Sequence, residues 1–500
     1  MPILLPELLY VDGAFRRGLG VDVDADTGRI VRVGAEAELL ARGNDDLVAG
    51  GPAAELVPGA AVPEYVPGGP QLERLPGRAL LPGFVNAHSH AFQRLIRGRT
   101  QWRPADAPEA DFWSWREAMY AATLALTPED VLAVSRFCFL EMLRAGTTTV
   151  GEFHYLHRDR DGSAYADPNE LALRVVDAAR EVGIRIVLLD VAYATGGVGE
   201  PLRPEQRRFA TPDLDAFLSQ VWDLRAAVKD DPLVTVGLAP HSVRAVPREW
   251  LRPAAEWAAA HALPLHMHVS EQAAEVRASR AGYGLAPVEL LDAEGVLSPT
   301  FTGVHATHVS ESEIQLLGET HSTVCACPTT ERDLGDGFLP GAALRAAGVA
   351  IAVGSDSQTV LDPLEEIRLL EYNERLRRER RVLLTEPRGE RLEVAPVLLA
   401  AGTSAGARAL GLDAGRLRAG ACADLVAIDL EHPTLAGWTD DSLAATLALC
   451  APADVVCDVW VAGVRRVDAR RHALERDALE AFRRVAGRGV PTPGEATPSN

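Results

Sequence analysis

The 500-residue chain is almost without lysine: Lys229 is the sole lysine among 50 basic residues. Arginine is therefore nearly the only cation used, and finding arginine at any one position says little by itself. Cysteine is sparse too. Cys138, Cys325, Cys327, Cys422, Cys450 and Cys457 show neither a disulfide framework nor zinc-knuckle spacing, and Cys325-Ala-Cys327 sits in an apolar run that reads as core. No apolar run reaches the roughly 18 residues of a membrane span. The opening MPILLPELLYVDGAF has no basic region followed by a small-residue cleavage site. The expected compartment is the cytoplasm. A formal net charge of −20 argues against nucleic acid or an anionic membrane as partner. It also means that an anionic small substrate would need local arginines to hold it.

What is present is an ordinary globular composition, 47% hydrophobic, in a length that predicts one large domain and a smaller one. From Ala79 onward, apolar strand-like runs alternate with helix-sized stretches: ALLPGFVNAHSH, TTTVGEFHYLH, RIVLLDVAYA, LVTVGLAPHSV, LPLHMHVSE, FTGVHATHV, STVCACPTT and VAIAVGSDS. Eight continuous apolar runs predict a parallel (β/α)8 barrel, covered on both faces, over residues 79–412. Strand patterns also occur at both ends, in LLYVDGAF and GVDVDADTGRIVRVG, then in ADLVAIDL and VVCDVWVAGVRRVD. They predict one small β-sandwich domain assembled from residues 1–78 and 413–470. The Pro/Gly/Ala-rich stretch 44–76 reads as an irregular insertion, and residues 471–500 as a helix followed by a disordered tail.

The chemistry lies in the histidines. Of thirteen, eight (His88, His90, His154, His157, His241, His268, His305 and His308) fall at or just beyond the ends of predicted strands. In a (β/α)8 barrel those ends converge on the face where active sites are built. A single such histidine is more often a satisfied core or loop residue; five strand ends, followed by Asp356 in GSDS, point to a site. His88 and His90, two apart on a strand, face the same side and can hold one ion together. His268 is a third candidate ligand and Asp356 supplies a carboxylate, a set suited to Zn²⁺ or Fe²⁺. His266 is on the same face but deeper, and reads as packed. Glu271, at a strand exit, is placed to shuttle a proton, against the alternative of a solvated loop charge. His305 is placed to polarise the attacked group or orient water, and His308 reads as structural.

PGFVNAHSH, HMHVSE, VHATH and GSDS, in this order on eight strand-like runs, resemble the amidohydrolase superfamily in its aminohydrolase (deaminase) branch. Binuclear members of the superfamily bridge two metals with a carboxylated lysine at the end of the fourth strand. Here Lys229 lies before the fourth strand, so the resemblance implies one divalent metal per chain. Within the branch, HSHAFQR (88–94), FWSWRE (112–117), EFHYLH (152–157), APHSVRAV (239–246), HMHVSEQ (266–272) and VHATHV (304–309) resemble the formimidoylglutamate deiminases. That group hydrolyses N-formimidoyl-L-glutamate to N-formyl-L-glutamate and ammonia in histidine degradation. Matched position by position, the resemblance implies His88, His90, His268 and Asp356 as metal ligands. It implies Glu271 and His305 at the reacting amidine, with Asp356 also accepting a proton, and Gln93, Arg116, Tyr155, His241 and Arg244 as substrate contacts. It also implies a homodimer.

Such a substrate carries two carboxylates, and Arg116 and Arg244, from separate segments, can each grip one bidentately. Arg94, Arg97 and Arg99 read equally well as helix-surface charges, and Trp113 and Trp115 as packing residues. Three other readings stand beside this one: another mononuclear deaminase acting on a purine, pyrimidine or triazine ring, a related hydrolase that cleaves a C–N amide bond, and a non-catalytic scaffold on the same fold. A scaffold has no reason to keep every ligand.

Overall fold

A computed structural model describes residues 2–41, 71–103, 105 and 112–488. Most of the expected insertion at 44–76, and the expected tail beyond the C-terminal helix Glu475–Gly487, lie outside the described residues. Five strands come first: β1 (Pro2–Val11), β2 (Ala14–Arg16), β3 (Leu19–Asp24), β4 (Arg29–Ala35) and β5 (Gln71–Pro82). Eight more follow: β6 (Phe84–Ser89), β7 (Thr147–His154), β8 (Arg185–Ala192), β9 (Val234–Pro240), β10 (Leu265–Val269), β11 (Phe301–His305), β12 (Thr323–Ala326) and β13 (Ala350–Val353). A short hairpin of β14 (Glu386–Arg388) and β15 (Arg391–Glu393) precedes β16 (Leu425–Asp429), β17 (Val456–Val461) and β18 (Val464–Val467).

Strands β6 to β13 pair in chain order, all parallel, with helices between them, giving the expected barrel. The pairing β1–β5 and β16–β18 form a second sheet from both chain ends, in the order β18-β17-β16-β5-β1-β3-β4, with β2 against β1. Its edge strand β4 is tied back to the segment that leads into β16, where Ile30 N donates to Ala421 O (2.8 Å) and Ala423 N to Gly28 O (2.9 Å). The curled sheet encloses a core that includes Leu4, Leu9, Val21, Leu80, Leu425 and Trp460.

The run ALLPGFVNAHSH is divided between the two sheets. Ala79–Pro82 pair antiparallel with β16, whereas Phe84 onward pairs with β7. Gly83 makes the transition, because a Cβ there would lie 2.1 Å from Thr148 Oγ1. A buried bidentate pair, Arg185 Nε and NH2 to Asp424 (2.7 and 3.1 Å), ties the base of β8 to the terminal domain.

The barrel closes where the predicted ligands stand. Asp356 N donates to His88 O (3.0 Å) and His90 N to Asp356 O (3.1 Å), bridging the end of β13 to β6. Gly354 permits that approach: a Cβ there would meet His88 O at 2.7 Å and His88 Cβ at 2.8 Å. Among the described residues, no helix is long and apolar enough to cross a membrane.

Candidate active site

Alternation along each strand decides which side chains reach the barrel mouth. His88 and His90 both point inward from β6 and pack edge-on against Phe153 of β7. His268 joins them from β10, its Nε2 3.1 Å from His88 Nε2. Asp356 Oδ1 lies 3.4 Å from His88 Nε2 and 3.2 Å from His90 Nε2. Non-glycine residues with left-handed backbone gather at these strand ends: Ser270 (φ 51°), His305 (φ 72°), Ala306 (φ 52°), Asp356 (φ 44°) and Gln358 (φ 64°). Strain of this kind persists only where surrounding structure enforces it. Here a hydrogen-bonded chain does so: Gln358 Nε2 donates to Ser89 Oγ (2.8 Å), and Ser89 Oγ donates to Glu152 Oε2 (2.6 Å).

The donor set fits a divalent metal. Burial pushes His88 down to about 3 and His268 well below the ordinary histidine range, so both present lone pairs at neutral pH. Two neutral imidazole nitrogens 3.1 Å apart beside a carboxylate have an acceptor-only arrangement that calls for a shared cation. Asp356 is held well below the usual carboxylate range; burial opposes this, but the adjacent His88 and His90 rings outweigh it.

One group whose ligand atoms all lie within 4.8 Å of one another is His88, His268, His305 and Asp356, with His305 in place of the expected His90. His90 is the better ligand on chemistry. Its Nδ1 is tied to Phe153 O (2.8 Å), which leaves Nε2 to face Asp356. His305 instead has carboxylates near both nitrogens: Glu331 Oε1 is 3.4 Å from Nδ1 and Glu271 Oε1 is 3.9 Å from Nε2. Burial works against its charge, but Glu271, Glu331 and Asp356 raise it to about 10. An imidazolium has no lone pair to offer a metal.

Beyond the donors lies a cavity of about 40 Å³ lined by Gln93, Arg116, Tyr155, His241 and Arg244, all five expected substrate contacts, and by Glu271 and His305. Gln93 Nε2 donates to Tyr155 Oη (2.9 Å), while Gln93 Oε1 is buried without a partner. Arg244 NH2 is 3.4 Å from Glu271 Oε2, and its guanidinium lies over Phe112. Arg116 stacks on Trp113 (4.4 Å to the ring centroid) and Tyr120, and among the described residues it has no carboxylate partner.

Several site residues escaped the sequence reading. Trp115, read as packing, lines the cavity with Phe112, Met119 and Tyr120. These residues, with Arg116, recur at i, i+3, i+4, i+7 and i+8 in the helix Phe112–Ala125, a helical stripe that the sequence does display. Tyr193 and Tyr120 are both held by Gln206 Nε2 (2.8 and 3.0 Å). Asp336, buried, has a carboxylate oxygen within 4.8 Å of Glu271 and His305. Burial and Glu271 push it up to about 9.

Other expected residues turn away from the cavity. Arg94 and Arg97 pair with Glu141, and Arg99 donates to Ala486 O, so they are structural. His266 is held by Ala409 O and His308 by Asp336 O. The only lysine, Lys229, caps the helix Leu214–Val228, away from the strand ends.

A model of the Amidohydrolase family matches residues 79–466. The chain belongs to the amidohydrolase family. It is 38% identical over 411 residues to the formimidoylglutamate deiminase of Pseudomonas aeruginosa, covering 82% of this chain and 89% of that one. It is 32% identical to the 8-oxoguanine deaminase of the same organism, covering 81% and 86%. It is 31% identical to a 5-methylthioadenosine/S-adenosylhomocysteine deaminase of Pelotomaculum thermopropionicum, covering 79% and 82%. In structure it matches an amidohydrolase from Brucella melitensis (TM-score 0.83, 32% identity, 98% of this chain and 99% of that one). It also matches an adenosine deaminase from Xanthomonas campestris with bound zinc (TM-score 0.75, 25% identity, 97% and 98%). This family member is a hydrolase of C–N bonds with deaminase relatives.

Proposed function

We propose that the chain hydrolyses N-formimidoyl-L-glutamate to N-formyl-L-glutamate and ammonia, a step of histidine degradation. The observation that carries this reading is Arg116: a half-buried guanidinium, stacked on aromatic rings and facing the cavity, with no carboxylate of its own among the described residues. With Arg244 it provides two grips for a dicarboxylate. The unpartnered Gln93 Oε1 is left to accept from the substrate, beside Tyr155 and His241. The relative of 38% identity carries the same name for its activity.

His88, His90, His268 and Asp356 would hold one divalent cation, zinc or iron. Such a cation supplies the Lewis acidity that makes water a nucleophile near neutral pH. Asp356 takes the proton of the attacking water. Glu271, raised by burial against the pull of His305 and Arg244, delivers a proton to the nitrogen that leaves as ammonia. His305 faces the charge that develops at the attacked carbon's substituents and stabilises it. Arg116, Arg244, Gln93, Tyr155 and His241 hold the rest of the substrate still.

Ammonia release from N-formimidoyl-L-glutamate, N-formimidoyl-L-aspartate, 8-oxoguanine and 5'-methylthioadenosine, compared on the metal-loaded protein, tests the assignment. The glutamate derivative is expected to give the highest kcat/KM. A higher value for either ring substrate overturns it in favour of a nucleobase or nucleoside deaminase.

A further inference from the structure

One buried carboxylate beside the site has no role in the chemistry above. Glu331 is 1% exposed, yet among the described residues its only ion-pair partner is His305. A buried carboxylate without a lysine or arginine is costly to keep, and a glutamine would fill the same space without that cost. Its retention calls for something that needs the charge.

The surroundings fix Glu331 firmly. It lies in the helix Pro328–Leu334, directly after β12, and its Oε1 accepts from Cys327 N (2.8 Å). The residues before it bolt the helix down: Thr329 N and Oγ1 donate to Glu366, and Thr330 Oγ1 donates to Ser355 O (3.2 Å). His305, by contrast, sits on a strained backbone with left-handed φ at itself and at Ala306. Its ring lies nearly parallel to that of His268, 5.5 Å away and 16° off plane. The contact between Nδ1 and Oε1 is 3.4 Å, and Nδ1 has no straight hydrogen bond. Contacts of this kind are often loose before substrate arrives and tighten in the reacting complex.

We propose that Glu331 is the positioning residue of His305: its carboxylate at Nδ1 fixes the rotation of the ring, so that Nε2 faces Glu271 and the substrate cavity. Glu331 touches neither the cavity nor the reacting atoms and acts through the imidazole alone. The same logic holds a general-base or electrophilic histidine wherever a buried carboxylate backs its far nitrogen. The inference rests on the proposed role of His305 in the deimination.

Two variants of the zinc-loaded enzyme test it, read by kcat, KM, metal content and the nitrogen resonances of ¹⁵N-labelled histidine, with His305→Asn identifying the His305 signals. Glu331→Gln keeps an acceptor for Cys327 N and removes the charge. Glu331→Met removes both. Outer partners of site histidines typically contribute about 10–100-fold in activity. The expected result is a kcat loss in that range for Glu331→Gln and a larger one for Glu331→Met. KM and metal content should stay within about twofold, and the His305 nitrogen resonances should move from their parental positions in Glu331→Met. Parental kcat and an unchanged His305 spectrum in both variants would overturn the proposal. The underlying reading is checked separately: if His305→Asn itself turns over at the parental rate, the role of His305 fails and that of Glu331 with it. If His305→Asn is inactive while both Glu331 variants match the parent, only Glu331 loses its role.

Discussion

The end of β7 borders two clusters of histidines, both drawn from strand ends. Phe153 faces inward, packed against His88, His90 and His268, and Tyr155 follows it toward the cavity. His154 lies between them and is paired in register with Asp190 of β8. His157 Nε2 donates to Val191 O (2.7 Å), and Gln220 bridges its Nδ1 to Asp190. The inner histidines converge on one another through Nε2, as ligands do. His157 is engaged by backbone, amide and carboxylate, as buried polar residues in a core are. Position at a strand end therefore does not make a ligand. Parity at the mouth end of a strand, as at His88, His90 and His268, is what brings candidate ligand nitrogens together; His266 shares that parity but lies deeper.

The largest effect that separates the two clusters is expected at Glu271. Glu271→Gln should lower turnover by about 10³-fold, with the metal content of the purified protein unchanged. Rates near the parent would remove Glu271 from the chemistry and take the inner cluster's assignment as a proton-delivering site with it.

A smaller effect tests the substrate end. Arg116→Met removes a charged hydrogen-bonding grip worth about 1.5–3 kcal/mol, so KM for N-formimidoyl-L-glutamate should rise by roughly 10–100-fold with kcat little altered. Arg244→Met should behave differently. Arg244 also lies against Glu271, so kcat should fall together with a rise in KM. Equal kcat and KM patterns for the two arginines would show that the Glu271 contact has no bearing on the reaction.

Much of this division was legible before the fold was known. Eight apolar runs mark the barrel, since a sheet covered on both faces needs uninterrupted apolar strands, and the spacing of His88 and His90 sets their common side. The stripe from Phe112 to Tyr120 also stands in the sequence at helical spacing, although its tryptophans read as packing. Glu331 and Asp336 left no such trace. They belong to a helix and turn after β12, and their approach to His305 depends on how that segment folds back across the barrel mouth. No period in the chain encodes a contact of that kind. The same limit hid the direction of His157, because residues beyond a strand's last ladder bond no longer alternate predictably.

The smallest of these effects concerns the outer cluster and is the sharpest check on the contrast. His157→Leu leaves the volume largely filled but strips the partner from Val191 O and from the Gln220–Asp190 network. Unsatisfied buried polar groups of that kind typically cost about 1–3 kcal/mol each. Urea unfolding should therefore show a stability loss of that order, while kcat, KM and metal content remain parental. Asp190 makes the loss informative. Burial already raises its carboxyl, and His157 and Gln220 hold that rise in check. Without the imidazole, the carboxyl is left with less to offset burial, and the penalty falls on folding. A variant that keeps its stability but loses metal or turnover would place His157 with the inner histidines, and the parity argument would fail on the strand where it is drawn most closely.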